Sequence, residues 1–508
     1  MKKIHLTLGF IAVLLLFHVN VNIANAEDIN LKKAQTVAIN YMSVQTGMSL
    51  STDDVSLEYQ IPNVEKNIPA LYFFNTSNGG FCVVSGSDCM DPIIAYSTEG
   101  IFDAENIPPA MLWYMNEFAH TIIVAQNNDD PAPEDTKLLW HEMLEGKVAD
   151  ANSSKVVYRT MTSTWNQSSP YNNMCPMYNG ARCYTGCVAT AMSQIVHYWK
   201  YPKVGKGYVR NEWNGTYLEA NLAQTYYNYD VMPDTYNSSS PWNAQQISET
   251  AKLNYHVGLV NMMDYGTDGS GAYTKRYTKK AFTNYYKYDK YKIAELDRTA
   301  APFNVNFTSE TQVNRYTPTH YDTVWADTLA KEIKAKRPVL YTGHNISGQG
   351  EHAGHAFVLE RYNSGATQTP FWFNWGWGGS GDCWCNVIKS RLYPSGYPAD
   401  YHYYSQHFVI IGITPPADSI QVGIEDNQPL VDLQPAYPNP ASRWVTIPYT
   451  IKGDANNAEL QIFSIDGRFI ERRTLNPDGQ RIAINVEAYP HGVYFYRING
   501  VAHKFVVE

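Results

Sequence analysis

The residue with the most reactive setting in this chain is Cys187, in the run Tyr184-Thr185-Gly186-Cys187-Val188-Ala189-Thr190-Ala191-Met192. Apolar residues then fall at 188, 191, 192, 195, 196 and 199, the spacing of one helix face, until Pro202 stops the pattern. The thiol therefore stands in the first turn of a largely buried helix. Unpaired N–H groups and the helix dipole favour an anion there, which predicts a stabilised thiolate with a lowered pKa. Gly186 allows a sharp turn and leaves room for a substrate beside the sulfur. A buried structural cysteine would share much of this setting, so partners elsewhere in the chain must decide.

A thiolate that attacks a carbonyl needs a base that can also protonate the leaving group. Arg337 to Gly343 reads as a strand, Gly348 to Gly354 as a glycine-rich turn, and His355 to Arg361 as a second strand. His355 stands at the mouth of this hairpin, with Gly354 beside it as a substrate-side position. His352 falls within the turn, where a solvated side chain is expected, and His344 and His197 read as ordinary surface or core residues. Further on, Phe371-Trp372-Phe373-Asn374-Trp375-Gly376-Trp377-Gly378-Gly379 runs from an apolar strand into a glycine turn. An Asn inside such a strand needs a hydrogen-bond partner. Asn374 can fix the imidazole's tautomer and tilt, with Trp375 shielding that bond. Upstream, Gln167 in Trp165-Asn166-Gln167-Ser168-Ser169-Pro170 can offer a side-chain N–H to an oxyanion, the backbone N–H of Cys187 being the second donor.

Gln, Cys, His and Asn occur in the papain-like order, and the local strings narrow it further. WNQSSPYN, TGCVATAMSQIVHYWKYP, GHAFVLERYN and FNWGWGG together resemble the streptopain family of cysteine peptidases over residues 156–412. VNMMDYGTDGSGA resembles a family segment bordering the cleft, which puts Gly271 near substrate. The resemblance implies an α+β, papain-like two-subdomain catalytic domain. It also implies Cys187 as nucleophile, His355 as general base and then acid, and Gln167 as oxyanion donor. Asn374 and Trp375 would orient and shield the imidazole, and Trp377 would stand near the cleft wall. No metal or organic cofactor is implied, only a reduced thiol. The segment from Tyr198 to Lys290, rich in Tyr and Asn, is assigned to the catalytic domain without a further reading.

Residues 27–155 form a separate α+β unit. Leu31 to Met48 reads as an amphipathic helix, residues 70–75 and 80–85 as a hairpin, 93–97 as a strand and 109–124 as a helix. LYFFNTSNGGFCVVSGSD and PIIAYSTEGIFD resemble the streptopain-type propeptide, which implies an inhibitory prodomain; the hairpin loop at Asn75 to Asn78 is the expected intruder into the site. Cleavage is expected in 127–134 or 149–162, with Arg159 one plausible bond.

The two ends read as addresses. Met1-Lys2-Lys3, an apolar run from Leu6 to Phe17 and Ala24-Asn25-Ala26 make up a secretory signal peptide, residues 1–26. That run is shorter than the roughly 20 residues a membrane span needs, and no later stretch is long enough. Residues 413–433, with Pro415-Pro416 and scattered acids, read as a linker, and short alternating stretches in 434–508 as a small all-β sandwich. AYPNPAS, LQIFSIDGRFI, HGVYFYRI and KFVV resemble the C-terminal sorting domain of type IX secretion in Bacteroidetes. That implies passage across the outer membrane by the secretion machinery, with release or attachment at the cell surface.

Composition bounds the rest. The chain has 508 residues, 44% hydrophobic and 14% aromatic, which excludes a mainly disordered protein. A net charge of −9 without a basic block argues against nucleic acid as partner. The 39 Tyr suggest broad, polar-tipped surfaces. Seven Cys is an odd number, so at least one thiol lacks an intrachain mate. Cys175 with Cys183, or Cys82 with Cys89, can pair; Cys383 and Cys385 share a strand face near the upper limit of disulfide geometry. A zinc site from Cys175, Cys183, Cys383 and Cys385 matches no ribbon spacing. The leading reading is an exported cysteine endopeptidase zymogen acting on proteins or peptides, with its own prodomain as inhibitor. A Cys–His acyltransferase and a catalytically silent surface adhesin are the alternatives.

Overall fold

The protein is described here by a computed structural model covering residues 25–148, 156–239, 241–297, 318–345, 354–366, 368–387, 405–417, 431–451, 459–466, 468–475, 481–498 and 501–508. The apolar run of the expected signal peptide, His352 with its turn at 348–353, and most of the expected linker lie outside these residues. The chain divides between Pro416 and Ala417 into two compact units.

The first unit opens with α1 (Leu31–Thr46), capped by the Asn30 side chain, which accepts from the Lys33 N–H, and closed by Gly47 at φ +68°. There follow β1 (Val55–Asn63), β2 (Ile68–Thr76), β3 (Phe81–Ser85), β4 (Ile93–Ser97), α2 (Pro109–Asn128) and α3 (Glu134–Leu144). Next come β5 (Val157–Arg159), the small hairpin β6 (Met177–Tyr178) and β7 (Ala181–Arg182), and α4 (Cys187–Trp199). A second hairpin, β8 (Tyr208–Trp213) and β9 (Thr216–Asn221), precedes α5 (Ala244–Val260), α6 (Thr274–Lys280), β10 (Ala294–Asp297) and α7 (Pro318–Lys334). The unit closes with β11 (Val339–Asn345), β12 (Gly354–Asn363), β13 (Phe371–Asn374), β14 (Cys383–Cys385) and β15 (Ser405–Ile411).

Prodomain and catalytic strands form one sheet, in the order β1-β2-β3-β4-β14-β13-β12-β11-β15-β10, with β5 laid against β12. The seam is the antiparallel pair β4–β14, where Tyr96 opposes Trp384 and Ala95 opposes Cys385. Strand alternation makes both faces of the catalytic sheet apolar. Leu340, Ala356, Val358, Phe408 and Ile410 meet the Cys187 helix through Val188, Met192, Ile195 and Val196. Tyr341, Phe357, Phe373 and Trp375 point the other way, onto Met111, Tyr114 and Phe118 of α2 and Trp325, Leu329 and Ile333 of α7. The prodomain thus shares a core with the catalytic sheet instead of resting on its surface.

Three expectations change here. The hairpin loop at Asn75 to Asn78 is held inside the prodomain. Asn75 exchanges hydrogen bonds with the Phe102 backbone at 2.9 and 2.8 Å, and the Ser77 hydroxyl bonds Asp54 at 2.9 Å. It is α2, not this loop, that carries side chains onto the catalytic sheet. Arg159 lies in β5 opposite Arg361, and the next N–H, of Thr160, is spent on the Glu360 carbonyl at 2.9 Å, so the backbone there is paired. The tyrosines are largely structural: Tyr72, Tyr114, Tyr171, Tyr227, Tyr229, Tyr286, Tyr341 and Tyr496 are fully buried. Their hydroxyls find partners such as the Asn386 carbonyl for Tyr114 and the Pro202 carbonyl for Tyr229.

The thiols outside the site are buried and unbridged. The sulfurs of Cys383 and Cys385 lie 3.3 Å apart on β14. Cys175 and Cys183 belong to the core on the Cys187-helix face and Cys383 and Cys385 to the opposite core, so these four cannot converge on one metal.

The second unit holds two small antiparallel sheets. One has β16 (Val431–Leu433), β17 (Trp444–Ile451) and β20 (Arg481–Asn485). The other has β18 (Glu459–Ser464), β19 (Phe469–Thr474), β21 (Gly492–Ile498) and β22 (Val501–Val507). Val445, Ile447, Leu460, Ile462, Tyr496 and Phe505 form a common core.

Candidate active site

Cys187 is the first residue of α4, and the turn that delivers it is fixed from several directions. Gly186 has φ +86°, and a Cβ there would stand 2.6 Å from the Met263 sulfur and 2.9 Å from the Ser270 carbonyl. The space beside Gly186 is therefore filled by the 263–271 loop. That loop closes on itself through paired bonds between Asp264 and Gly271, at 2.8 and 3.0 Å, and leaves Gly271 exposed. It is tied to the approach to the thiol by Tyr184 N–H to Gly266 carbonyl, 3.0 Å, and Ser270 hydroxyl to Tyr184 carbonyl, 2.7 Å.

Burial pushes the Cys187 thiol above its ordinary pKa, while hydrogen bonds from the N–H groups of Ala356, Val188 and Cys187 itself pull it down. The expected lowering is thus reversed: the helix start favours the thiolate, but loss of water outweighs it. The Ala356 bond pins the sulfur one residue from His355, which is half-buried near the start of β12, next to Gly354.

Gln167 is brought to the same place by its backbone. Its carbonyl accepts from the Thr185 N–H at 3.0 Å, two residues before the nucleophile, and its side chain is mostly buried. The glycine turn carrying the half-buried Trp377 closes over this loop. Gly378 donates to the Trp165 carbonyl at 3.1 Å, and the Gly376 backbone approaches Thr190 of α4.

Asn374 is buried in a hydrogen-bond network at the end of β13. Its amide N–H2 bonds the Ser163 carbonyl at 2.7 Å and Gln194 at 3.2 Å, and its oxygen accepts from Gln194 at 3.3 Å and the Gly376 N–H at 3.0 Å. Gln194 also accepts from the Trp165 N–H at 3.0 Å. The pair therefore ties α4, the Gln167 loop and β13 together. Trp375 is fully buried, its N–H on Asp382 at 2.9 Å and its indole N–H on the Gly381 carbonyl at 2.7 Å. Its ring packs on Phe357 at 4.8 Å and on Tyr114 of the prodomain at 5.8 Å.

Sequence reasoning passed over Gln194, Glu360 and Asp382. Burial raises the pKa of both acids; Arg361 and Arg159 draw Glu360 back toward the charged form. A Gln within a helix otherwise read as apolar was the one available signal. A cavity of about 410 Å³, lined by His197, Lys200, Asp230 and Asp234 among others, lies at the far end of α4 from the thiol.

Comparison with known proteins follows these divisions. Residues 165–385 match the Peptidase C10 family, residues 26–122 the Spi protease inhibitor family and residues 435–508 the secretion system C-terminal sorting domain. Streptopain of Streptococcus pyogenes is 29% identical over 70% of this chain and 83% of its own length. The thiol protease/hemagglutinin PrtT of Porphyromonas gingivalis is 26% identical over 82% of this chain, which spans 44% of that longer protein. A fragment of prointerpain A from Prevotella intermedia shares the fold, with a TM-score of 0.51 at 24% identity over 71% of this chain and 99% of the fragment. The thiol at the head of α4 falls in the stretch that matches the peptidase C10, or streptopain, family of cysteine peptidases, the unit built into its sheet in the stretch that matches the inhibitor family, and the C-terminal unit in the stretch that matches the sorting domain.

Proposed function

We propose that the chain is the exported zymogen of an endopeptidase that cuts proteins or peptides through a Cys187 acyl-enzyme. The observation that carries this reading is the convergence at the start of α4. The Cys187 sulfur is held by the Ala356 N–H beside His355, while the Gln167 carbonyl is bonded two residues before the thiol.

In the mechanism, His355 takes the Cys187 proton as sulfur bonds the scissile carbonyl carbon, and the carbonyl π pair moves to oxygen. The Cys187 backbone N–H and the Gln167 side-chain N–H receive that oxyanion. Collapse breaks the C–N bond, His355 protonates the departing amine, and a thioester remains on Cys187. His355 next removes a proton from water, whose oxygen attacks the thioester; the acid product leaves and sulfur regains its proton. No metal or organic cofactor enters these steps, but the thiol must be reduced. Asn374 and Trp375 position the β13 turn, and Trp377, Gly354 and Gly271 border the peptide.

The test is casein hydrolysis by the exported full-length chain under reductant, beside a Cys187→Ala twin. Cleavage of casein and loss of the prodomain in the wild type alone support the reading. Inertness of both proteins, even after the prodomain is cut away by another protease, defeats it.

A further inference from the structure

The catalytic strand at the prodomain seam carries two thiols on one face. Cys383 and Cys385 flank Trp384 on β14, both fully buried, with their sulfurs 3.3 Å apart. The prodomain holds this strand on three sides. Its edge pairs with β4, and the Asn386 N–H continues the pairing onto the Ile94 carbonyl at 2.9 Å. The face of the sulfurs shares a core with Val83, Ala95, Met111 and Tyr114 of the prodomain. Helix α2 crosses that face: the Tyr114 hydroxyl donates to the Asn386 carbonyl at 2.8 Å, and a Cβ at Gly381 would stand 2.8 Å from the Met111 sulfur. On the opposite face Trp384 enters the prodomain core of Tyr72, Phe74, Cys82 and Tyr96.

In the precursor this setting keeps the two thiols from bonding. An extended strand spaces residues i and i+2 about 6.4–6.8 Å apart, the upper limit that a disulfide spans. Ladders to β13 on one side and β4 on the other hold β14 at that extension. Burial, with Cys383 beside it, pushes the Cys385 thiol well above its ordinary pKa. Departure of the prodomain removes these restraints together. Among the described strands β14 then becomes the sheet edge, and the helix that covered the sulfurs is gone. We propose that Cys383 and Cys385 form a redox latch, closing into a disulfide once the prodomain has left and so making activation one-way in oxidising surroundings. This rests on the zymogen reading and adds its regulation. One thiolate attacks a low-molecular disulfide of the glutathione type and expels a thiolate, and the second attacks the mixed disulfide and expels the other. The Cys383–Cys385 bond forms as the oxidant's S–S bond breaks, and its two thiol products carry off both protons. The new bond draws the two Cα atoms together, so β14 puckers and Trp384 leaves the line on which it met Tyr96. Strand β4 then lacks a matching ladder, and the prodomain rebinds poorly until a reductant opens the bond.

The test uses the full-length Cys187→Ala chain, which keeps the nucleophile out of the thiol chemistry. It is cut between α3 and β5 by an added protease, diluted into oxidised glutathione or dithiothreitol, and returned to its starting concentration. Mass spectrometry is expected to find the peptide carrying Cys383 and Cys385 short of two hydrogens in the oxidised cut chain and not in the uncut chain under the same oxidant. Gel filtration is expected to show the reduced sample rejoined to its prodomain, and the oxidised sample needing a concentration roughly tenfold higher or more to rejoin. Adding dithiothreitol to the oxidised sample should abolish the difference. Cys383→Ala combined with Cys385→Ala should rejoin alike under both conditions; if that variant does not fold, the mass and dithiothreitol comparisons on the parent chain decide alone. A bond that closes equally in the uncut chain, no bond in the cut chain, or rejoining that ignores the bond overturns the latch. None of these outcomes touches the peptidase reading, which stands or falls on casein hydrolysis by the wild type.

Discussion

Cys187 carries two opposed influences, a helix start that favours the anion and partial burial that disfavours it, and the net shift in the zymogen is upward. Its alkylation by iodoacetamide should therefore keep accelerating as pH rises past 9, whereas a rate already level below pH 8 would contradict the raised pKa. Asn374 shows a different physics, because its worth is in the groups it satisfies. Asn374→Leu strands Gln194, the Gly376 N–H and the Ser163 carbonyl, each at a cost of about 1–3 kcal/mol if it stays dry. A fall in thermal midpoint is expected to accompany lost activity; lost activity at an unchanged midpoint would return Asn374 to a direct role at the imidazole. His256 sets an acid limit. Burial lowers its pKa to about 4, with Lys252 adding to the effect, and the Tyr227 hydroxyl holds Nδ1 at 3.0 Å. The unfolded chain takes up this proton near pH 6.5 and the folded one near 4, so stability falls as pH drops between those values, by up to about 3 kcal/mol. His256→Gln should flatten that stretch of the stability–pH curve, as denaturant unfolding at pH 7 and pH 4.5 would show.

Among the elements, the turn into α4 tolerates least. Gly186→Ala must place a Cβ at φ +86° against Met263 and Ser270, costing about 1–3 kcal/mol of backbone strain and moving the thiol. Activity should drop by tenfold or more, and an active Gly186→Ala enzyme would mean that the 263–271 loop yields easily. Strand β5 makes a second claim. With Arg159 paired to Arg361, maturation should survive Arg159→Ala, and N-terminal sequencing should find the mature chain beginning ahead of Val157. A mature chain beginning at Thr160 would refute this. The Cys187 helix and the His355 strand were legible because each is specified by a few adjacent residues, a glycine before a thiol or a histidine opening an apolar run. The role of α2 was not. Its apolar residues announce a buried face, but which sheet covers that face depends on pairings across hundreds of residues. The Tyr-rich stretch after Tyr198 resisted for a related reason: its core is built from tyrosines such as Tyr227, Tyr229 and Tyr286, which the alphabet of sequence patterns counts as half-polar.

At the scale of the whole molecule, the order of inhibitor, enzyme and sorting domain was readable from local strings, and the fusion of inhibitor and enzyme into one sheet was not. The seam involves β4 and β14, nearly three hundred residues apart, and neither strand announces its mate. That seam changes what activation is. Cutting the connection between α3 and β5 breaks a peptide bond but leaves the β4–β14 pairing and the α2 core intact, so the severed prodomain becomes a ligand with a dissociation constant. From then on its grip obeys mass action and loosens as the nicked protein is diluted. Specific activity of the nicked enzyme should therefore climb as the preparation is diluted and fall again when free prodomain is added back.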